Sequence, residues 1–184
     1  MQKESRLILK SVDKEELRKQ YLSLRASIPN HRREEAAKAL AAAFSHRGRI
    51  LSFYSVASEI DTSLLNGRLL EQKNLFYPRV EKNFLTAYQQ EQNCALIVSS
   101  FGICEPDPST ARKISLSEID LILVPALAFD QERYRLGYGK GHYDRFLSTT
   151  GNIPTIGVGF REQLSMKPLP RDPWDVPVTE LFLL

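Results

Sequence analysis

One run of the chain limits its fold more than any other. Residues 119–130, IDLILVPALAFD, are apolar almost without interruption. A strand wetted on one face alternates apolar with polar residues, whereas a strand covered on both faces has no need to. The run is therefore expected to be an interior strand of a sheet with helices packed on both sides. It is too short to cross a membrane: Pro125 interrupts LILVPALAF, and a spanning helix needs about 20 apolar residues.

The remaining segments fit around such a strand. Asp13 with Glu16 forms a capping-box-like start, and Leu17, Tyr21, Leu24 and Ile28 recur at helical spacing up to Pro29. A first helix is expected over about Lys14 to Ser27. Asn30 is placed to cap a second helix, whose alanine-rich AAKALAAAF favours helix and which closes near Gly48. A turn at Pro29 and Asn30 would set the two antiparallel. ILSFYSV, Ile50 to Val56, reads as strand, and SLLNGRLLEQK as helix. LFYPRV and FLTAYQQ read as short strands about a Glu-Lys-Asn turn, ALIV as a further candidate, and FGICEPDPSTARK as a loop. After the apolar run come a glycine-rich loop, a helix GHYDRFLST closed by Gly151, the strand IPTIGVGF and a terminal strand around VTELFLL. Strands alternating with helices, without internal repeats, predict one α/β domain over residues 1–184. Its architecture is a three-layer αβα sandwich around a mostly parallel sheet.

Composition narrows the function. A hydrophobic fraction of 42% and a charged fraction of 26% exclude a disordered or fibrous chain. The net charge of +3 requires no nucleic-acid partner, though it suits an anion gathered at a local patch. Cys94 and Cys104 form no CxxC pair, and His31, His46 and His142 complete no cluster at zinc-ligand spacing. The opening MQKESRLILKSVDKEE has only Leu7 to Leu9 as consecutive apolar residues, and so lacks the hydrophobic centre of a secretory signal. The expectation is a cytoplasmic, reduced protein, monomeric and acting on small molecules, with no membrane or nucleic-acid partner.

The chemistry concentrates in RLGYGKGHYDRFL, Arg135 to Leu147, where Gly137, Gly139 and Gly141 alternate around Tyr138 and Lys140. A glycine-rich turn after a buried strand and before a helix gathers backbone N–H groups and a positive helix end at one point. Such a point stabilises an anion such as phosphate, and the missing Cβ atoms let it touch backbone. A tight strand-to-helix turn alone would account for two glycines; three in alternation with a lysine between them favour the phosphate reading. The spacing is neither GxGxxG, since Asp144 stands where the last glycine would be, nor GxxxxGK[ST], since Gly141 follows the lysine. Asp144, in the first turn of the next helix, either complements its dipole or ligates Mg²⁺ beside the phosphates. Lys14 and Arg18, four residues apart, share one face of the first helix, as a solvated basic edge or as part of the anion site.

Taken in order, KEELR at 14–18, SEIDT at 58–62, EP at 105–106, VPALAFD at 124–130 and the glycine segment resemble the 5-formyltetrahydrofolate cyclo-ligase (methenyltetrahydrofolate synthetase) family. The likeness runs from about Lys14 to Leu181. It implies an α/β fold similar to the ribose-5-phosphate isomerase and CoA-transferase group. It also implies ATP-dependent closure of 5-formyltetrahydrofolate to 5,10-methenyltetrahydrofolate, releasing ADP and phosphate. By that resemblance Lys14, Arg18, Arg135 and the stretch Leu136, Gly137, Tyr138, Gly139, Lys140, Gly141, His142, Tyr143 would hold ATP, with Lys140 and Arg135 catalytic. Glu59 would contact the folate together with residues 138–143, and Tyr143 is either a pterin platform or a core-facing residue. Asp144 would ligate Mg²⁺. For the second metal ligand Asp172 and Asp175 both qualify, and Asp175 is preferred because Val178 and the last strand then follow at the family's distance. The chain departs from the usual pattern at His142, more often tyrosine, and at Ala126 and Tyr134, where glycine is common. Two alternatives stand beside this reading: an isomerase or acyl-CoA transferase relative holding a phosphorylated ligand, and a non-catalytic folate-binding protein.

Overall fold

A computed structural model describes residues 13–99 and 102–184. The expectation that the N-terminal segment lacks a signal centre rests on Leu7 to Leu9, outside those residues.

Five strands of the principal sheet run parallel: β1 (Ile50–Leu51), β2 (Leu75–Glu81), β7 (Leu121–Pro125), β10 (Thr155–Gly159) and β12 (Glu180–Leu183). Two antiparallel strands, β3 (Phe84–Gln89) and β6 (Arg112–Lys113), extend one edge, giving the order β12-β10-β7-β1-β2-β3-β6. The period of two sorts the faces. Ile50, Leu121 and Leu123 meet Leu40 and Phe44 of α2 (Asn30–Phe44) and Leu65 and Leu69 of α3 (Ser63–Glu71). Leu51, Ile122 and Val124 face the other way, onto Phe146 and Leu147 of α4 (His142–Leu147). Helices thus cover both faces, and the three-layer α/β expectation stands.

The interior strand is shorter than the apolar run suggests. Pro125 has no N–H to continue the ladder, and the chain turns out of the sheet at Ala126 and Leu127. Their carbonyls are taken instead by Gln163 Nε2, at 2.8 and 3.1 Å. Residues Ala128–Asp130 then form β8 of a separate three-stranded sheet, between β11 (Leu164–Ser165) and β9 (Arg135–Leu136). This small sheet receives α1 (Lys14–Ala26), whose Tyr21 packs on Leu127, Ala128, Leu136 and Leu169. The first helix therefore buries its apolar side in a different cluster from α2, rather than forming an antiparallel pair with it.

Other boundaries also move. Asp13 caps α1 by accepting from Glu15 N at 2.9 Å. Pro29, not Asn30, is the cap residue of α2, so Asn30 is its first helical residue. The strand expected to Val56 leaves the sheet after Ser52, whose N–H still reaches Phe76 O at 2.9 Å. The segment read as a loop from Phe101 contains β5 (Cys104–Pro106), paired with β4 (Leu96–Val98), and β6. Helix α4 ends at Leu147, before Gly151, because its last turn closes on Ser148.

Candidate functional site

The strand order decides where a site can form. From β1 the chain passes through α3 on one face to β2; from β7, the adjacent strand, it passes through α4 on the opposite face to β10. The connections diverge between β1 and β7, and the crevice beyond the carboxyl ends of such a pair is where open α/β sheets bind ligands. A cavity of about 230 Å³ lies there, lined by Pro125 at the end of β7, Glu59 from the loop after β1, and residues 135–144. Lys14, Arg18, Asp172 and Asp175 border the same cavity. Every candidate site residue read from the sequence thus lines one space, although they come from four regions of the chain.

The glycine loop is shaped by its neighbours. Gly139 has φ +89°, and a Cβ there would lie 3.0 Å from Arg18 Nη2. Arg18 Nε donates to Gly137 O at 2.9 Å, so α1 clamps the loop from above. Gly141 has φ +65° and caps α4. Arg145, one turn on, donates to Lys140 O at 2.9 Å and to Asn83 O at 2.9 Å. Lys140 itself is exposed at the rim. Burial, with Arg145 and Lys140 nearby, pushes the His142 imidazole below its ordinary range, which favours the neutral ring. Tyr143 both lines the cavity and packs against the core cluster beneath α4, so the two roles weighed for it are compatible.

The charged groups are paired across the cavity. Arg135, with 4% of its side chain exposed, donates to Asp144 Oδ1 at 2.5 Å and to Val176 O at 2.6 Å. Val176 N also donates to Asp144 Oδ1, at 3.3 Å. Arg135 therefore orients Asp144 from behind. Lys14 Nζ lies 2.5 Å from Asp172 Oδ2 and 3.5 Å from Asp175 Oδ2. Asp175 is the more buried of the two, and it accepts from Asp172 N at 2.9 Å.

At the other end stands Glu59, 9% exposed. Burial raises its carboxyl pKa, opposed by the N–H of Val56 at 3.1 Å, by Arg25 and by the Tyr138 hydroxyl. Among the described residues Arg25 is the largest side chain that is wholly buried. Its guanidinium donates to Ser58 Oγ at 3.0 Å, to Ala126 O at 3.3 Å and to the Tyr138 hydroxyl at 2.7 Å, and lies 3.8 Å from Glu59 Oε1. It ties the loop after β1, the break after β7 and the glycine loop together. The sequence reading passed over Arg25, although a charged residue three positions before Ile28, on the apolar side of a helix, was a visible signal. Trp174 and Pro170 also line the cavity and were missed; nothing in their local pattern marks them.

The oxygen donors on the cavity suit a hard cation such as magnesium. Among the described residues no group of three or more His, Cys, Asp or Glu converges as a complete metal cage. Mg²⁺ does not require one: it binds through one or two carboxylates and completes its shell with phosphate oxygens and water. Asp144 and Asp175, hard oxygen donors on the cavity that holds the glycine loop, fit that mode. Among the described residues no helix is long and apolar enough to cross a membrane.

Known proteins resemble this chain over most of its length. The family model for the 5-formyltetrahydrofolate cyclo-ligase family matches residues 10–183. The 5-formyltetrahydrofolate cyclo-ligase of Haemophilus influenzae is 31% identical over 139 residues, 73% of this chain and 74% of that protein. The enzyme of the same name from Mycolicibacterium smegmatis is 31% identical over 179 residues, 92% of each chain. The solved structure of Aquifex aeolicus 5,10-methenyltetrahydrofolate synthetase superposes with a TM-score of 0.78 at 33% identity, covering 91% of this chain and 88% of that one.

Proposed function

Because the chain belongs to the 5-formyltetrahydrofolate cyclo-ligase family, we propose that it converts 5-formyltetrahydrofolate to 5,10-methenyltetrahydrofolate with ATP, releasing ADP and phosphate. One observation carries the reading: the glycine loop, the cations Lys14, Arg18 and Lys140, the carboxylates Asp144 and Asp175, and the buried Glu59 all border one cavity.

The chemistry explains why such groups are needed. The formyl group on N5 is an amide, with a weakly electrophilic carbon and an oxygen that does not leave unaided. In our reading that oxygen attacks the γ-phosphorus and ADP departs. N10 then adds to the carbon and loses its proton, and the C–O bond breaks to release phosphate. Phosphoryl transfer asks the protein for positioning and charge neutralisation more than for a nucleophile. The N–H groups of the loop and Lys14 and Arg18 hold the phosphates, and Lys140 offsets charge that grows on the transferred phosphoryl. Glu59, fixed by Val56 N and the Arg25–Tyr138 pair, orients the folate. Arg135 acts by holding Asp144 in place. A magnesium ion bound by Asp144 and Asp175 would neutralise phosphate charge. We further read the protein as a single-domain monomer of the cytoplasm that acts on small molecules alone.

The direct test incubates the purified protein with 5-formyltetrahydrofolate and ATP in the presence of magnesium. The expected result is the methenyl chromophore and ADP in equal amounts. Stoichiometric folate binding without ADP, or binding of a phosphorylated ligand without either product, would overturn the assignment.

A further inference from the structure

Trp174 is the single tryptophan of the chain, borders the cavity, and is 69% exposed. An indole is a large apolar surface to leave in water beside charged groups. The turn that presents it is firmly held. Asp172 N donates to Asp175 Oδ2 at 2.9 Å and Asp175 N to Asp172 O at 3.0 Å. Just before it, Arg171 binds Asp130 at 2.9 Å and Glu132 at 2.7 Å, and lies 3.9 Å over the Tyr134 ring. Pro170 and Pro173 stiffen the same segment. Among the described residues, Trp174 has neither a hydrogen-bond partner nor a ring partner. A rigid support thus holds out an unused aromatic face.

Helix α1 orders the cavity from end to end. Arg25 contacts Glu59 and Tyr138; Arg18 contacts Gly137; Lys14 contacts Asp172 and Asp175, which flank Trp174 in the chain. At about 1.5 Å rise per residue, Lys14 and Arg25 stand roughly 16 Å apart along the axis. The folate end, the phosphate loop and the tryptophan therefore follow one another in a line. A triphosphate whose terminal phosphoryl meets the formyl group near Glu59, and whose chain runs along the glycine loop, brings its nucleoside to Trp174.

We propose that Trp174 is the platform on which the purine base of the nucleotide stacks, an inference that rests on the reading of the cavity as an ATP and folate site. The indole face accepts a base through its π-surface, while Lys14, held by Asp172 and Asp175, meets the phosphates. Trp174 thus contributes to nucleoside affinity and not to the transfer step.

With one tryptophan, emission excited beyond the tyrosine band reports on Trp174 alone. The protein is titrated with ADP and, separately, with inorganic tripolyphosphate, magnesium being present in both. ADP is expected to quench the emission and tripolyphosphate to bind without doing so. By calorimetry, Trp174→Ala should weaken ADP binding about tenfold or more, Trp174→Phe should stay within a few-fold of wild type, and both should bind tripolyphosphate unchanged. Equal quenching by the two titrants, an unchanged ADP affinity in Trp174→Ala, or a selective loss of 5-formyltetrahydrofolate binding in that variant would each overturn the proposal. A wild-type protein that binds neither titrant would instead overturn the ATP reading, and the platform with it.

Discussion

Two residues carry opposite kinds of consequence. Lys140 sits exposed at the cavity rim, so its removal leaves the fold intact and acts on the reaction. Lys140→Ala should lower kcat by roughly 10²–10³, the scale of losing one preorganised charge partner, while the KM for folate moves little; single-turnover rates check it, and an unchanged chemical step would refute the assignment. Arg25 is the reverse case. Its guanidinium serves Ser58, Ala126, Tyr138 and Glu59 from a fully buried position. Arg25→Met strands those partners, and a loss of about 3–5 kcal/mol in denaturant unfolding is expected. Arg25 also holds the Glu59 pKa down, so that carboxyl should rise further in the variant. An unfolding midpoint equal to wild type would show that the network has no structural weight.

At the scale of elements, the glycine loop depends on the helix above it. An alanine at position 139 would have to adopt φ +89° and crowd Arg18 Nη2 at 3.0 Å. Left-handed backbone costs an L-residue roughly 1–2 kcal/mol, so Gly139→Ala should lower the melting temperature by a few degrees and raise the KM for ATP several-fold or more; an unaltered KM would mean the loop tolerates a side chain and is not a close-approach site. The β2–β3 hairpin offers a pH test away from the site. Glu81 accepts from the Tyr88 hydroxyl at 2.5 Å, from Thr86 at 2.9 Å and from Lys113 at 3.0 Å. Chiefly through Tyr88, its pKa falls from 4.5 to about 2, while burial first and then the Glu81 carboxylate raise that of Tyr88 to about 12. A depressed carboxyl binds fewer protons folded than unfolded, so its stabilisation is complete above pH 4.5 and disappears as pH falls towards 2. Unfolding followed across that window should flatten in Glu81→Gln; a slope identical to wild type would exclude the Glu81 carboxyl as its source.

For the whole molecule, the two faces of one sheet form the core, and the site lies where its two connections part. Residues from α1, from the loop after β1, from the glycine loop and from the 170–175 turn must all be in place at once. We expect residues 13–184 to unfold in one cooperative transition, with far-ultraviolet and tryptophan signals coincident because Trp174 reports from the site; two separated transitions would disprove a single domain. Much of this was legible in advance. The run around Leu121–Pro125 identified an interior strand because apolar residues on both faces need cover on both faces. The alternating glycines with Lys140 marked a loop that lines the cavity because backbone without Cβ atoms is a local property. Hydrophobic period determined which residues are buried, and local chemistry determined the turns. The tertiary structure alone decided what each buried face meets. It sent residues 128–130 into a second sheet, gave α1 to that sheet rather than to α2, set Arg25 behind Glu59, and brought Trp174 to the same cavity as Lys14, 160 positions earlier in the chain. Those outcomes rest on contacts between segments far apart in sequence, whose energies depend on the geometry of both partners, and a pattern read along one segment carries no record of the other.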